Sequence, residues 1–175
     1  MAKNISFMQY MRAHGNTPGP TQRPFSTGII VSLIAFVPFE LVLRASGARA
    51  AIADAVGLSV FQSTAIGVVV MVLAGIVYAA IFKRAANDCR GGWVFGASFG
   101  FAVWLLAPIT LWQIISGRAA VVGTAAMGLF GSHILFGLVL GLAFPWIHFL
   151  IQSRLDSANH RRGDYQETNK EVSDA

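Results

Sequence analysis

WVFGASFGFAVWLLAPITLWQII, residues Trp93 to Ile115, contains no charged side chain, and three further apolar stretches accompany it. A hydrocarbon core about 30 Å thick is crossed by a helix of roughly 20 apolar residues at 1.5 Å rise each. The companion stretches run from about Gly28 to Leu43, interrupted only by Glu40, from Phe61 to Phe82, and from Met127 to Ile151. The pattern predicts an all-α polytopic membrane protein, a bundle of four transmembrane helices with short interfacial helices between them.

Composition agrees with this reading. Of 175 residues, 55% are hydrophobic and 12% charged, whereas soluble domains carry about 25% charged residues. The expected organisation is a cytoplasmic amphipathic and proline-rich segment over 1–26, a membrane domain over 27–152 and a polar cytoplasmic tail over 153–175. The remaining segments are too short for a second core. The first stretch differs from a secretory signal in its long polar leader and in Pro38, Glu40 and Arg44, which interrupt the end a peptidase would read. Cys89 is the lone cysteine, so no internal disulfide forms. The net charge of +5 fits basic residues flanking spans and does not imply nucleic acid as a partner.

Ten of the 13 basic residues fall on one side: Lys3, Arg12, Arg23, Lys83, Arg84, Arg90, Arg154, Arg161, Arg162 and Lys170. Arg44, Arg49 and Arg118 occupy the other. The rich side is expected to be cytoplasmic, with both termini there. Two Ala-rich, weakly amphipathic loops on the far side, Arg49 to Val56 and Ser116 to Ala126, each predict a short interfacial helix. Ile5, Met8 and Met11, with Phe7 and Tyr10, predict an amphipathic helix lying on the membrane before the connector Thr17 to Pro24. The polar tail beyond about Ser157 is expected to be disordered unless a partner orders it.

Lipid gives helices no hydrophobic reason to associate, so close packing needs small residues on facing surfaces. Gly92, Gly96 and Gly100 recur at four-residue spacing in the third span, and Gly137 and Gly141 in the fourth. The second span offers Ser63 with Gly67, and Gly75 with Ala79. Pro38, Pro108 and Pro145 each remove a backbone donor inside a span and favour a kink. Trp93, Trp112 and Trp146 lie near span ends, whereas Trp104 is placed to pack between helices. An offset of 66 residues sets Gly75 on Gly141 and Tyr78 on Phe144, a pattern expected of two related helical hairpins.

Ionisable groups at bilayer depth are costly and thus mark candidate functional positions. Glu40 and Arg44 are one turn apart and share a helix face, as a boundary ion pair or as part of a proton or substrate site. His133 and His148 stand about 22 Å apart along the fourth span and share a broad face with Gly137, Gly141 and Pro145. Spans one to three lack histidine, so the chain alone offers no pair of axial ligands on two helices for haem, and no cofactor is expected. No cluster has metal-ligand spacing. No acid, base and nucleophile combine into a catalytic set, so the chain reads as no enzyme.

The run Ser132-His133-Ile-Leu-Phe-Gly137-Leu-Val-Leu-Gly141, after Gly92, Gly96, Gly100 and Trp104, resembles that of uncharacterised bacterial four-helix integral membrane proteins. In that family a glycine-rich third helix precedes a His-x-x-x-Gly-x-x-x-Gly fourth helix. The resemblance covers residues 60–150. It implies a bacterial inner-membrane location and a structural or functional role for His133, and it brings no established activity. The expectation is a non-catalytic accessory or assembly subunit of a larger bacterial membrane complex, with membrane-protein partners or copies of itself beside lipid. The alternative is a small oligomeric transporter or channel using Glu40, His133 and His148.

Overall fold

A computed structural model describes Gln9, residues 23–117 and residues 121–173, with backbone only at 116 and 156–173. The expected amphipathic start and most of the proline-rich connector lie outside the described residues. The elements are α1 (Pro24–Ala45), α2 (Ala48–Val56), α3 (Val60–Phe82), a 3₁₀ turn (Ala85–Asn87), α4 (Gly92–Trp104), a π-helical stretch (Leu105–Leu111), α5 (Trp112–Ser116) and α6 (Gly123–Ser173). No strand occurs among the described residues. Four helical segments are long and apolar enough to cross a membrane: Pro24–Ala45, Val60–Phe82, Gly92–Ile115 and Gly123–Leu155.

Local chemistry sets the helix limits. Pro24, expected in the connector, instead opens α1 in its first turn, where its missing N–H costs nothing and its fixed φ suits the helix. A capping box starts α3: the Ser59 hydroxyl accepts from the Gln62 N–H, and the Gln62 side chain accepts from the Ser59 N–H. Between these helices Gly47 (φ 74°) and Gly57 (φ 68°) supply left-handed backbone at the two ends of α2, a conformation that costs other residues a Cβ clash.

Within the third span, Pro108 withholds an N–H and the ladder widens from α to π over Leu105–Leu111. The Thr110 hydroxyl donates to the Leu105 carbonyl at 2.8 Å and satisfies part of the disturbed ladder. Pro38 and Pro145 remain inside continuous helices.

The packing order across the bundle is α3, α1, α6, α4: α1 lies against both α3 and α6, α4 lies against α6, and α3 scarcely touches α4. Glycine decides this order. A methyl on Gly96 would overlap the Gly137 carbonyl oxygen, and one on Gly137 would overlap that of Gly96, so the α4 and α6 backbones are in mutual contact. Gly92 and Gly141 continue the seam, a Cβ on Gly92 falling 2.8 Å from the Gly141 oxygen, and Gly100 seats against the His133 carbonyl. Between α1 and α3 the same device recurs, with a Cβ on Gly28 falling 2.7 Å from the Gly75 oxygen. Each helical hairpin thus closes on its own glycine contact, Gly75 and Gly141 being the pair related by the 66-residue offset. An aromatic core joins the two hairpins at the Lys83 end, where Tyr78 packs on Phe99 (5.3 Å) and Phe144 (5.8 Å). Trp104 packs edge-on against Phe130 at 4.8 Å, between α4 and α6.

Two further expectations are corrected. The loop Ser116 to Ala126 forms no separate interfacial helix among its described residues: α5 ends at Ser116, and Gly123 already begins the last span. Beyond the bilayer-length stretch, α6 continues to Ser173 where disorder was expected. No proline follows Pro145, and each residue added to an existing helix avoids the cost of a new nucleus.

Gly96→Ala is expected to destabilise the bundle by about 1–3 kcal/mol through overpacking. Gly131→Ala, where a methyl meets open space, should be neutral or stabilise by up to about 1 kcal/mol through reduced chain entropy. Thermal unfolding of both variants in detergent micelles measures the contrast.

Candidate functional site

The end of the bundle opposite Lys83 carries the buried charges. Glu40 lies in the last turns of α1 and is 9% exposed. Arg44, one turn later, donates from Nε to Glu40 Oε1 at 2.7 Å, and its side chain is 54% exposed. The pair sits on one helix face, as the four-residue spacing requires.

Glu40 has a second cation that the sequence reading left in a loop. The left-handed turn at Gly47 reverses the chain, so Arg49, near the start of α2, points back across α1. Its Nη2 donates to Glu40 Oε2 at 2.5 Å, and its Nε is shared between Oε2 at 3.0 Å and Oε1 at 3.3 Å. Arg49 Nη1 reaches the Ser63 carbonyl and hydroxyl on α3, both at 3.3 Å, and Thr64 donates to Glu40 Oε1 at 3.1 Å. The Arg49 side chain is only 5% exposed. One carboxylate therefore ties α1, α2 and α3 together through a forked pair, the geometry in which a guanidinium binds most strongly. The α2 helix is accordingly more than interfacial, since Ala48, Arg49 and Ala53 are buried. A cation so close to the first span needs an acid, and Glu40 is the one acid within that span; this was the signal available to sequence reasoning.

A cavity of about 390 Å³ opens beside this network, between α3 and the third span. Phe39, Leu129, Val70 and Pro108 bring all four spans to its wall, and the polar side chains lining it include Arg49, Ser63 and His133. His133 is 3% exposed and packs edge-on to Phe39 at 5.1 Å. Its Nδ1 lies 2.7 Å from the Leu129 carbonyl. A carbonyl only accepts, so Nδ1 carries the proton and Nε2 is the ring's remaining polar atom.

The sequence-predicted residues divide accordingly. Glu40 and Arg44 belong to the charge network, and His133 lies in the cavity wall. His148, also buried, lies about four turns further along α6, toward the other end of the fourth span, and does not join them. Gly92, Gly96, Gly100, Gly137 and Gly141 form the α4–α6 seam. Among the described residues no three or more His, Cys, Asp or Glu side chains gather as a metal site. Outside the spans, burial and then the neighbouring Asp88 carboxylate hold the Cys89 thiol above its ordinary range.

Fold and site together define an all-helical protein with four membrane-length spans and a buried carboxylate–guanidinium network at one end. No family model, curated protein or solved structure matches the chain.

Glu40→Leu strands the buried Arg49 guanidinium and should cost about 3–5 kcal/mol, Arg49→Met leaves Glu40 with Arg44 and Thr64 and should cost less, and the double variant should recover most of the Glu40→Leu loss. Chemical unfolding in micelles compares the three. Because its raised pKa keeps Cys89 protonated at neutral pH, maleimide labelling should be slow at pH 7 and accelerate as pH climbs beyond the usual thiol range; a rate already at its plateau at pH 7 contradicts this.

Proposed function

We propose that this chain is a non-catalytic integral membrane protein that works through contact, as an accessory or assembly subunit of a larger bacterial membrane complex. The observation that carries the reading is how unevenly the spans are covered. Half of the most apolar window of the first span is buried, and 44% of the fourth, but only 22% of the second and 17% of the third. Two of four helices thus keep most of their surface for lipid or another membrane protein. The candidate carboxylate is meanwhile occupied, since Glu40 is held by Arg49, Arg44 and Thr64.

The distribution of basic residues supports a cytoplasmic location for both termini. The resemblance on Gly92, Gly96, Gly100, His133, Gly137 and Gly141 supports a bacterial inner membrane. His133 in a cavity wall favours a second reading, a small oligomeric transporter or channel. Against it, Glu40 stands behind Arg49, and His148 is about 22 Å from His133 along the helix axis, so these groups form no continuous polar path.

Extraction of native membranes in mild detergent, followed by native-gel separation and mass spectrometry, is expected to show reproducible comigration of this chain with other membrane polypeptides. Migration alone, with solute flux in liposomes, would overturn the subunit reading.

A further inference from the structure

The space between α3 and the third span is longer than the cavity beside Arg49. A second cavity, of about 410 Å³, follows it toward the Lys83 end, and Val103 lines both. On α3 the combined lining runs from Ser63 to Phe82, about 28 Å of helix. A single hydrocarbon chain of a lipid crosses half of a core about 30 Å thick, so the groove is long enough to hold one.

Its polarity runs one way. Arg49, Ser63 and His133 are all in the first cavity, whereas the second is walled by residues such as Val77, Ile81, Phe99 and Leu106, with the Ser98 hydroxyl its sole polar side chain. Arg49 Nη2 gives one N–H to Glu40 and retains another. A Cβ on Gly67 would lie 3.1 Å from that nitrogen, and Gly67 itself lines the cavity. The absent side chain therefore leaves the guanidinium edge bare toward the groove. His133 Nε2 adds an acceptor in the same wall, since Nδ1 is committed to Leu129.

A single-tailed group with an oxygen head at one end matches the length and the polarity of the groove.

We propose that this groove binds one acyl chain, its carbonyl oxygen accepting from Arg49 and its tail running between α3 and the third span toward Ile81. The chain comes from a free long-chain fatty acid, whose acid O–H also finds an acceptor in His133, or from an ester-linked membrane lipid, which uses Arg49 alone. This site is independent of any protein partner.

The test is scintillation proximity on the full-length chain in detergent, with tritiated palmitic acid and tritiated dipalmitoyl phosphatidylethanolamine in parallel. Saturable retention of either supports the site, and the ligand retained identifies the source. Ala107→Trp, which fills the first cavity, should weaken retention by about tenfold or more. Val77→Trp lies on the exposed rim at the tail end and serves as the second variant. It should shift the preference from sixteen-carbon to ten-carbon chains without loss of binding, an outcome that a misfolded protein would not give. Retention that rises without saturation for both ligands, or that is unchanged in Ala107→Trp and Val77→Trp, overturns the proposal.

Discussion

Backbone contact between glycines is the constraint on which this architecture depends. With lipid tails as apolar as leucine, helices associate only where their surfaces approach closely enough for dispersion and weak polar contacts to accumulate. Gly96 and Gly137 meet each other's carbonyl oxygens, and Gly28 meets that of Gly75. These contacts direct the small faces of the third span toward α6 and one small face of α3 toward α1. The surfaces that α3 and the third span turn toward each other are not matched in this way, and they meet mainly through aromatic rings at the Lys83 end. The groove is thus a consequence of where the glycines point.

The charge network occupies one end of that arrangement. A lone carboxylate in a span would be costly, and so would a lone guanidinium. Placed together, Glu40 and Arg49 satisfy most of each other's hydrogen-bonding capacity while Ser63 and Thr64 take further places. The result is a strut joining α1, α2 and α3, with Arg44 extending from it to an exposed position. Such a strut constrains the loop helix that forms part of the cavity wall, so the geometry of the groove and the stability of the ion pair are coupled.

The widened turn around Pro108 belongs to the same region. Its ladder lacks a donor and is partly repaired by Thr110, and Ala107, Pro108 and Leu111 from this stretch line the cavity. Proline here shapes the wall, whereas Pro38 and Pro145 lie in helices that continue through them. The same residue type therefore has different consequences depending on whether the surrounding ladder can absorb the missing N–H.

The sequence alone determined the fold class and the four membrane-length spans, because uninterrupted apolar length is set by the residues themselves and needs no partner. It also contained the glycine seam, since four-residue spacing places Gly92, Gly96 and Gly100 on one face of any helix, and the Glu40–Arg44 pair for the same reason. Tertiary structure decided what depends on chain reversal and helix order. Arg49 turned from a loop residue into the main partner of Glu40 through the left-handed turn at Gly47. His133 and His148, which share one helix face, were separated in role because only His133 reaches the cavity between helices that the linear pattern does not pair. The start of the last span at Gly123 and the helical tail to Ser173 likewise followed from continuity within one long helix, which local amphipathicity and composition do not encode.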